Sequence, residues 1–358
     1  MSTDPLDVSV APRHLPWRAL GVRLAFLTAA LMVGLLALEG MTRVVFDRSG
    51  MHYGIEMWKY AKYVKQRSSN AAMSHEHAPN REAVLMGVAV RTNSLGLRGG
   101  EISREKTPGV RRLLVLGDSM TFGWGAAEED TYPRRLEHLL NRDGVRYEVI
   151  NAGVGNYNSA QQVAYFSSRG IALQPDELIL GFYINDAEPT PAPNASLLAR
   201  HSYVYVLASS LWEAVARGTG LRPTLITYYE GLYDDRNPGW SACRQALLDL
   251  IQLCRREGVK LSIVLIPELH APNRDYPFRS VHARIAEIAQ QNGVRAIDLL
   301  PAFDGIDPRS LWVSPGDTHP NARAHAIIAN ALYQAMTSSG EDAGLDAGTH
   351  KTAEERHE

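Results

Sequence analysis

Leu113-Leu114-Val115-Leu116-Gly117-Asp118-Ser119 decides how this chain folds, because an apolar run breaks into Gly-Asp-Ser and ends on a hydroxyl. In a parallel sheet the carboxyl ends of the strands open into the ligand crevice. A serine just past a buried strand is therefore exposed on one side and held on the other. Outward from this point strand and helix patterns alternate: strand 113–116, helix 132–141, strand 147–150, helix 160–169, strand 178–182. After an insertion the pattern resumes with helix 242–257, strand 261–266, helix 281–291, strand 294–298 and helix 321–336. Such alternation predicts an α/β fold with a doubly wound parallel sheet of about five strands. Gly117, Gly123 and Gly125 lack the spacing of a P-loop or dinucleotide fingerprint, and no cofactor is expected.

Gly-Asp-Ser alone is a weak signal, since a turn serine capping the next helix accounts for any single case. Three further segments strengthen it: Asn151-Ala152-Gly153-Val154-Gly155-Asn156 and Gly181-Phe182-Tyr183-Ile184-Asn185-Asp186, each closing an apolar strand, and Gly316-Asp317-Thr318-His319-Pro320-Asn321 before an amphipathic helix. In this order they resemble the four blocks of the SGNH (GDSL-type) hydrolase family, over roughly residues 111–336. The resemblance implies a flavodoxin-like strand order, Ser119 as nucleophile and His319 as its base. It also implies an oxyanion hole from the Ser119 and Gly155 N–H groups and the Asn185 side chain. The chemistry agrees, because a serine hydroxyl needs an imidazole within reach and a carboxylate to fix the imidazole tautomer. A Cβ at position 155 would obstruct substrate approach to the backbone amide, and Asn185 offers an uncharged donor.

Asp317 is the candidate carboxylate, but the spacing departs from the family. The family acid lies three residues before the histidine, where this chain has Gly316, and Asp317 is two before. In an extended loop a shift of one residue reverses side-chain direction. The Asp-Thr-His spelling is similar to that of the alginate O-acetyltransferases, in which the segment precedes the serine. Two arrangements stay open: a triad through Asp317, which is preferred because a carboxylate stabilises the imidazolium, or a Ser-His dyad with a backbone carbonyl orienting the ring.

The chain has 358 residues, is 45% hydrophobic and has a formal net charge of −2, ample for a sizeable core and without the basic surplus of a nucleic-acid binder. Cys243 and Cys254 fall in one expected helix, roughly 16 Å apart along its axis, and read as small core residues and not as a bridge. Residues 20–38 form an apolar stretch about 28 Å long as a helix, enough to span a bilayer. Arg13, Arg18 and Arg23 accompany its start and Glu39, Arg43 and Asp47 follow, which puts residues 1–19 in the cytoplasm and the rest outside. An uncleaved anchor is preferred over a cleaved signal peptide, since Glu39 interrupts the small-x-small pattern of a cleavage site.

Residues 39–110 are expected as a juxtamembrane linker and extension, with an amphipathic helix over 54–67 that either lies on the membrane or packs on the catalytic domain. Ser74-His75-Glu76-His77 lacks the helical two-His spacing of a zinc site and sits among turn formers, so no metal is expected. In Thr92-Asn93-Ser94-Leu95-Gly96-Leu97-Arg98, similar to a motif of membrane-anchored family members, a turn with Arg98 bound to a nearby carboxylate is expected. The hydrolase domain spans 111–337 and contains an insertion, 187–239, placed over the active-site mouth. The insertion's aromatic residues, among them Trp212, either wall a sugar site or bury its own helix. Residues 338–358 read as a disordered tail.

The combined reading is a membrane-anchored, periplasmic serine esterase acting on acyl esters, O-acetyl groups of an envelope polysaccharide being favoured by analogy. An O-acetyltransferase is the alternative, because water or a sugar hydroxyl can resolve the same acyl-enzyme. The rival of another class is a non-catalytic glycan-binding or assembly protein, against which the joint presence of Ser119, Gly155, Asn185 and His319 argues.

Overall fold

The computed structural model describes residues 17–48, 51–142, 144–190, 197–272 and 275–345. Two helices come first, α1 (Trp17–Arg48) and α2 (Tyr53–Tyr63), then four short strands, β1 (Lys65–Arg67), β2 (His75–His77), β3 (Glu82–Leu85) and β4 (Val88–Arg91). The α/β part follows with β5 (Val110–Gly117), α3 (Ser119–Phe122), α4 (Tyr132–Leu140), β6 (Arg146–Gly153), α5 (Ser159–Tyr165) and β7 (Glu177–Phe182). The insertion carries α6 (Leu197–His201), α7 (Tyr203–Gly218) and α8 (Leu225–Leu232). The chain closes with α9 (Pro238–Glu257), β8 (Lys260–Leu265), α10 (Arg279–Gln291), β9 (Arg295–Asp298), β10 (Trp312–Ser314), β11 (Asp317–Pro320) and α11 (Ala322–Leu345).

β6-β5-β7-β8-β9 form one five-stranded sheet, parallel throughout, with the expected flavodoxin-like order. Side chains alternate across a strand, and β5 is apolar on both faces because both are covered. Leu114 and Leu116 join a core with α5, α9 and α10, whereas Leu113 and Val115 join a second core with α4 and α11. The connection from β6 to β7 crosses over β5, so the strand order reverses at β5, and at its carboxyl end Ser119 emerges.

Two boundaries differ from expectation. α2 stops at Tyr63, and Lys65–Arg67 instead pairs antiparallel with His75–His77, so the histidine segment read as turns is a strand. α11 continues to Leu345, past the expected start of the tail at 338, and residues 346–358 lie outside the described residues. Of the two placements left open for the helix before residue 111, packing on the catalytic domain is the one found: Tyr60, Val64, Leu85 and Val90 share a buried cluster with Phe122 and Trp124, just beyond Ser119. Cys243 and Cys254 are both buried and unbridged on α9.

α1 is long and apolar enough to cross a membrane, and its apolar window is buried nowhere in the protein. Its last turns are bound to the insertion. Glu39 accepts hydrogen bonds from the Tyr203 N–H at 2.9 Å, the Val204 N–H at 3.1 Å and the Ser202 hydroxyl at 2.8 Å, capping the start of α7. Arg43 lies 4.7 Å from the Tyr203 ring centre.

Candidate active site

Ser119 opens α3, a single helical turn whose N-cap is Asp118. The Asp118 carboxylate accepts the Met120 N–H at 2.9 Å and an Asn185 Nδ2–H at 2.8 Å, fixing the turn on which the hydroxyl sits. Burial pushes the Asp118 carboxyl up, and these two donors and the nearby His319 counter it. After α3 the chain reverses at Gly123, whose left-handed φ of 81° would strain a side-chain-bearing residue. This reversal turns Trp124 back toward the site.

The structure brings Ser119, His319 and Asp317 together. Ser119 Oγ and His319 Nε2 are 2.8 Å apart, and His319 Nδ1 and Asp317 Oδ1 are 2.5 Å apart. The spacing of two is compatible with this contact because Asp317 and His319 lie on β11, where alternate side chains share a face. β11 is held in that form by antiparallel pairing with β10, from Trp312 opposite Pro320 to Ser314 opposite Asp317. Asp317 is buried and would by that alone be raised, but the hydrogen bond and charge of His319 and the Trp124 indole hold it below the usual carboxylate value. The indole Nε1–H donates to Asp317 Oδ2 at 2.8 Å, which leaves Oδ1 for the imidazole. The Tyr53 ring stacks on His319, centres 5.9 Å apart and planes 26° apart.

The expected oxyanion donors are arranged differently. Asn185 follows β7 in a short 3₁₀ turn, and one of its two amide hydrogens goes to Asp118, leaving the other. The Gly155 N–H donates to the Tyr60 hydroxyl at 2.9 Å, so in this arrangement it is engaged by α2 and not by the space beside Ser119. The absence of a Cβ at Gly155 makes room for that ring and not, as expected, for substrate: an added Cβ would stand 2.7 Å from Tyr60 Cε1. Tyr60 in turn donates to His77 Nε2 at 2.6 Å, because the other imidazole nitrogen faces the Gly96 carbonyl at 3.2 Å and must carry its hydrogen. Burial, with a contribution from Lys65, lowers His77 to about 3 and keeps it neutral. Lys65 Nζ donates to the Gly155 carbonyl at 2.5 Å and to Asn156 Oδ1 at 3.0 Å, and burial lowers it to about 7.

Arg98, expected to bind a carboxylate, binds none among the described residues. Its guanidinium donates to the carbonyls of Phe122, Gly123 at 2.6 Å and Ala126 at 2.5 Å, clamping the reversal that carries Trp124. Several of the insertion's aromatics serve packing, while Tyr228 hydrogen-bonds Glu188. Tyr203 packs 4.9 Å from Trp58, Tyr233 and Trp240 enter the main core, and Trp212 is exposed to solvent. Beside Asn185 opens a cleft of about 1010 Å³, lined by α2, β1, the loop after Gly155 and the start of the insertion.

The profile of the GDSL-like Lipase/Acylhydrolase family matches residues 115–327. No curated protein matches the chain. Among solved structures, TesA is similar over 64% of this chain and 99% of its own, at 17% identity and a TM-score of 0.43. An acetylxylan esterase from Geobacillus stearothermophilus is similar over 63% of this chain and 93% of its own, at 17% identity and a TM-score of 0.43. A two-domain esterase active on acetylated mannans, crystallised with mannopentaose, is similar over 64% of this chain and 49% of its own, at 16% identity and a TM-score of 0.43.

Proposed function

We propose, from the premise that this chain belongs to the GDSL-like lipase/acylhydrolase family and is a hydrolase acting on esters, that it is a membrane-anchored serine esterase with Ser119, His319 and Asp317 as its triad. The observation that carries the reading is the unbroken hydrogen-bonded line from Ser119 Oγ through His319 to Asp317. His319 Nε2 takes the hydroxyl proton as Oγ attacks the acyl carbon, and Asp317 stabilises the imidazolium that results. The oxyanion is met by the Ser119 N–H and the second Asn185 hydrogen, and by the Gly155 N–H once the Tyr60 hydroxyl yields it. Collapse breaks the ester bond, and His319 returns its proton to the leaving alcohol. Water, deprotonated by the same imidazole, then attacks the acyl carbon and releases the acid and a free Ser119.

The acyl group we assign is O-acetyl on a glycan, supported by the amide-rich cleft that meets the site at Asn185. α1 serves as an uncleaved anchor with the catalytic domain outside the cytoplasm. The hold of Glu39 on α7 supports this, since cleavage just after the apolar stretch would disturb the cap of an insertion helix. A fluorophosphonate tests the centre directly: it should label Ser119 in the full-length protein, and Ser119→Ala should abolish both labelling and p-nitrophenyl acetate turnover. Turnover of the variant within tenfold of the wild type overturns the assignment. A mature N-terminus beginning after Leu38 overturns the anchor.

A further inference from the structure

The cleft beside Asn185 has a charge unlike the rest of the molecule. The whole chain carries 37 Lys and Arg against 39 Asp and Glu. The cleft instead gathers Lys62, Lys65, Arg67 and Arg200, from α2, β1 and α6, against the single carboxylate of Glu188. Glu188 is itself pushed up by burial and by nearby Asp118, although Tyr228 counters this with a hydrogen bond. Lys62 lies 4.4 Å from the Trp58 ring centre, and neither it nor Arg67 forms an ion pair among the described residues. Lys65 is held by the Gly155 carbonyl, by Asn156 and against the Tyr60 ring, 4.4 Å from its centre, so the charge of the cleft rests mainly on Lys62 and Arg67. Cations grouped in a concave, partly desolvated wall raise the local potential well above that of scattered surface lysines.

The lining also includes the amides of Gln66 and Asn156, side chains that both donate and accept. Several charges contributed by three separate elements fit a ligand with an anionic group on successive units better than a single headgroup. The cleft reaches the reacting centre through Asn185, whose side chain is tied to the residue before Ser119.

We propose that this cleft binds an acidic polysaccharide, a chain of sugars bearing carboxylates, and that the ester cleaved at Ser119 is an acyl substituent on such a chain. This rests on the esterase reading for the cleavage, but the binding is tested without it. The experiment is titration calorimetry of the full-length protein in phosphatidylcholine nanodiscs with hexagalacturonate and, in parallel, with neutral xylohexaose. The acidic oligomer should bind at least tenfold more tightly at low ionic strength, with the difference shrinking as salt rises. Lys62→Glu with Arg67→Glu should remove at least tenfold of that affinity, and Lys62→Arg with Arg67→Lys should retain it, separating charge from folding. Equal affinity for both oligomers, or charge reversal without effect, overturns the proposal. So does loss of the acidic oligomer's binding when phosphatidylglycerol is added to the disc, which would make the cleft a lipid site. Failure of p-nitrophenyl acetate turnover, with the oligomer preference intact, would instead remove the esterase reading and leave the cleft assigned.

Discussion

The two sides of Ser119 are satisfied in opposite ways. On the His319 side the hydrogen bonds form one line that starts at the serine: Oγ–H donates to the imidazole, the imidazole donates to one Asp317 oxygen, and Trp124 donates to the other. On the Gly155 side the donors face away, the backbone N–H to Tyr60 and an Asn185 hydrogen to Asp118. The difference follows from what each side awaits. A base must be aligned before reaction, whereas an oxyanion exists only during it, and a buried N–H left unpaired meanwhile costs about 1–3 kcal/mol. The relay is thus built in advance, whereas on the other side the Gly155 N–H is held by an internal acceptor that substrate must displace.

Removing the relay's carboxylate should have the largest effect. Asp317→Asn keeps the shape but presents the imidazole with an amide, which favours the wrong tautomer, and kcat on p-nitrophenyl acetate should fall by roughly 10³–10⁴-fold. A loss under about tenfold would replace the triad by a Ser-His dyad. The same variant has a stability signature. Because the folded protein holds Asp317 below its usual value, the associated stabilisation is present at neutral pH and is lost as pH falls through that lowered value. The melting temperature of the wild type should therefore decline more steeply in acid than that of Asp317→Asn.

On the opposite side Asn185→Ala removes one donor and leaves the relay whole. The expected loss is roughly 10²–10³-fold in kcat with little change in KM, the pattern of an interaction formed only in the transition state. An equal rise in KM with kcat preserved would move Asn185 out of the oxyanion site and into substrate binding alone.

The sequence reveals one side better than the other for a physical reason. Ser119, Asn185 and Gly155 each sit just after a strand-forming run, so the strand pattern places them at one edge of the sheet. The fit of Asp317 was not legible, because Asp-Thr-His has no apolar alternation and reads as loop until β10 pairs with it. Tyr53, Tyr60 and Trp124 were missed altogether. Their contacts join residues far apart in sequence, as in Trp124 to Asp317, and depend on α2 docking beside the catalytic strands. The one available trace was the apolar spacing of α2 through Ile55 and Trp58, which indicates a buried face without saying against what.

Tyr60→Phe probes that docking with the smallest expected change, and in the opposite direction. The variant keeps the ring against Phe122 and Trp124, at 5.0 and 5.6 Å, and deletes only the hydroxyl that occupies the Gly155 N–H. Two buried groups, that N–H and His77 Nε2, lose their partner, so stability should fall by about 1–3 kcal/mol in urea denaturation. The freed N–H no longer has to exchange an acceptor before meeting the oxyanion, and kcat should rise about two- to fivefold while KM changes little. A fall in kcat would mean that the hydroxyl positions the Gly155 loop for catalysis and that the two sides of Ser119 are equally prepared. An unchanged kcat with the same stability loss would take Gly155 out of the oxyanion site and leave Ser119 and Asn185 to hold the charge.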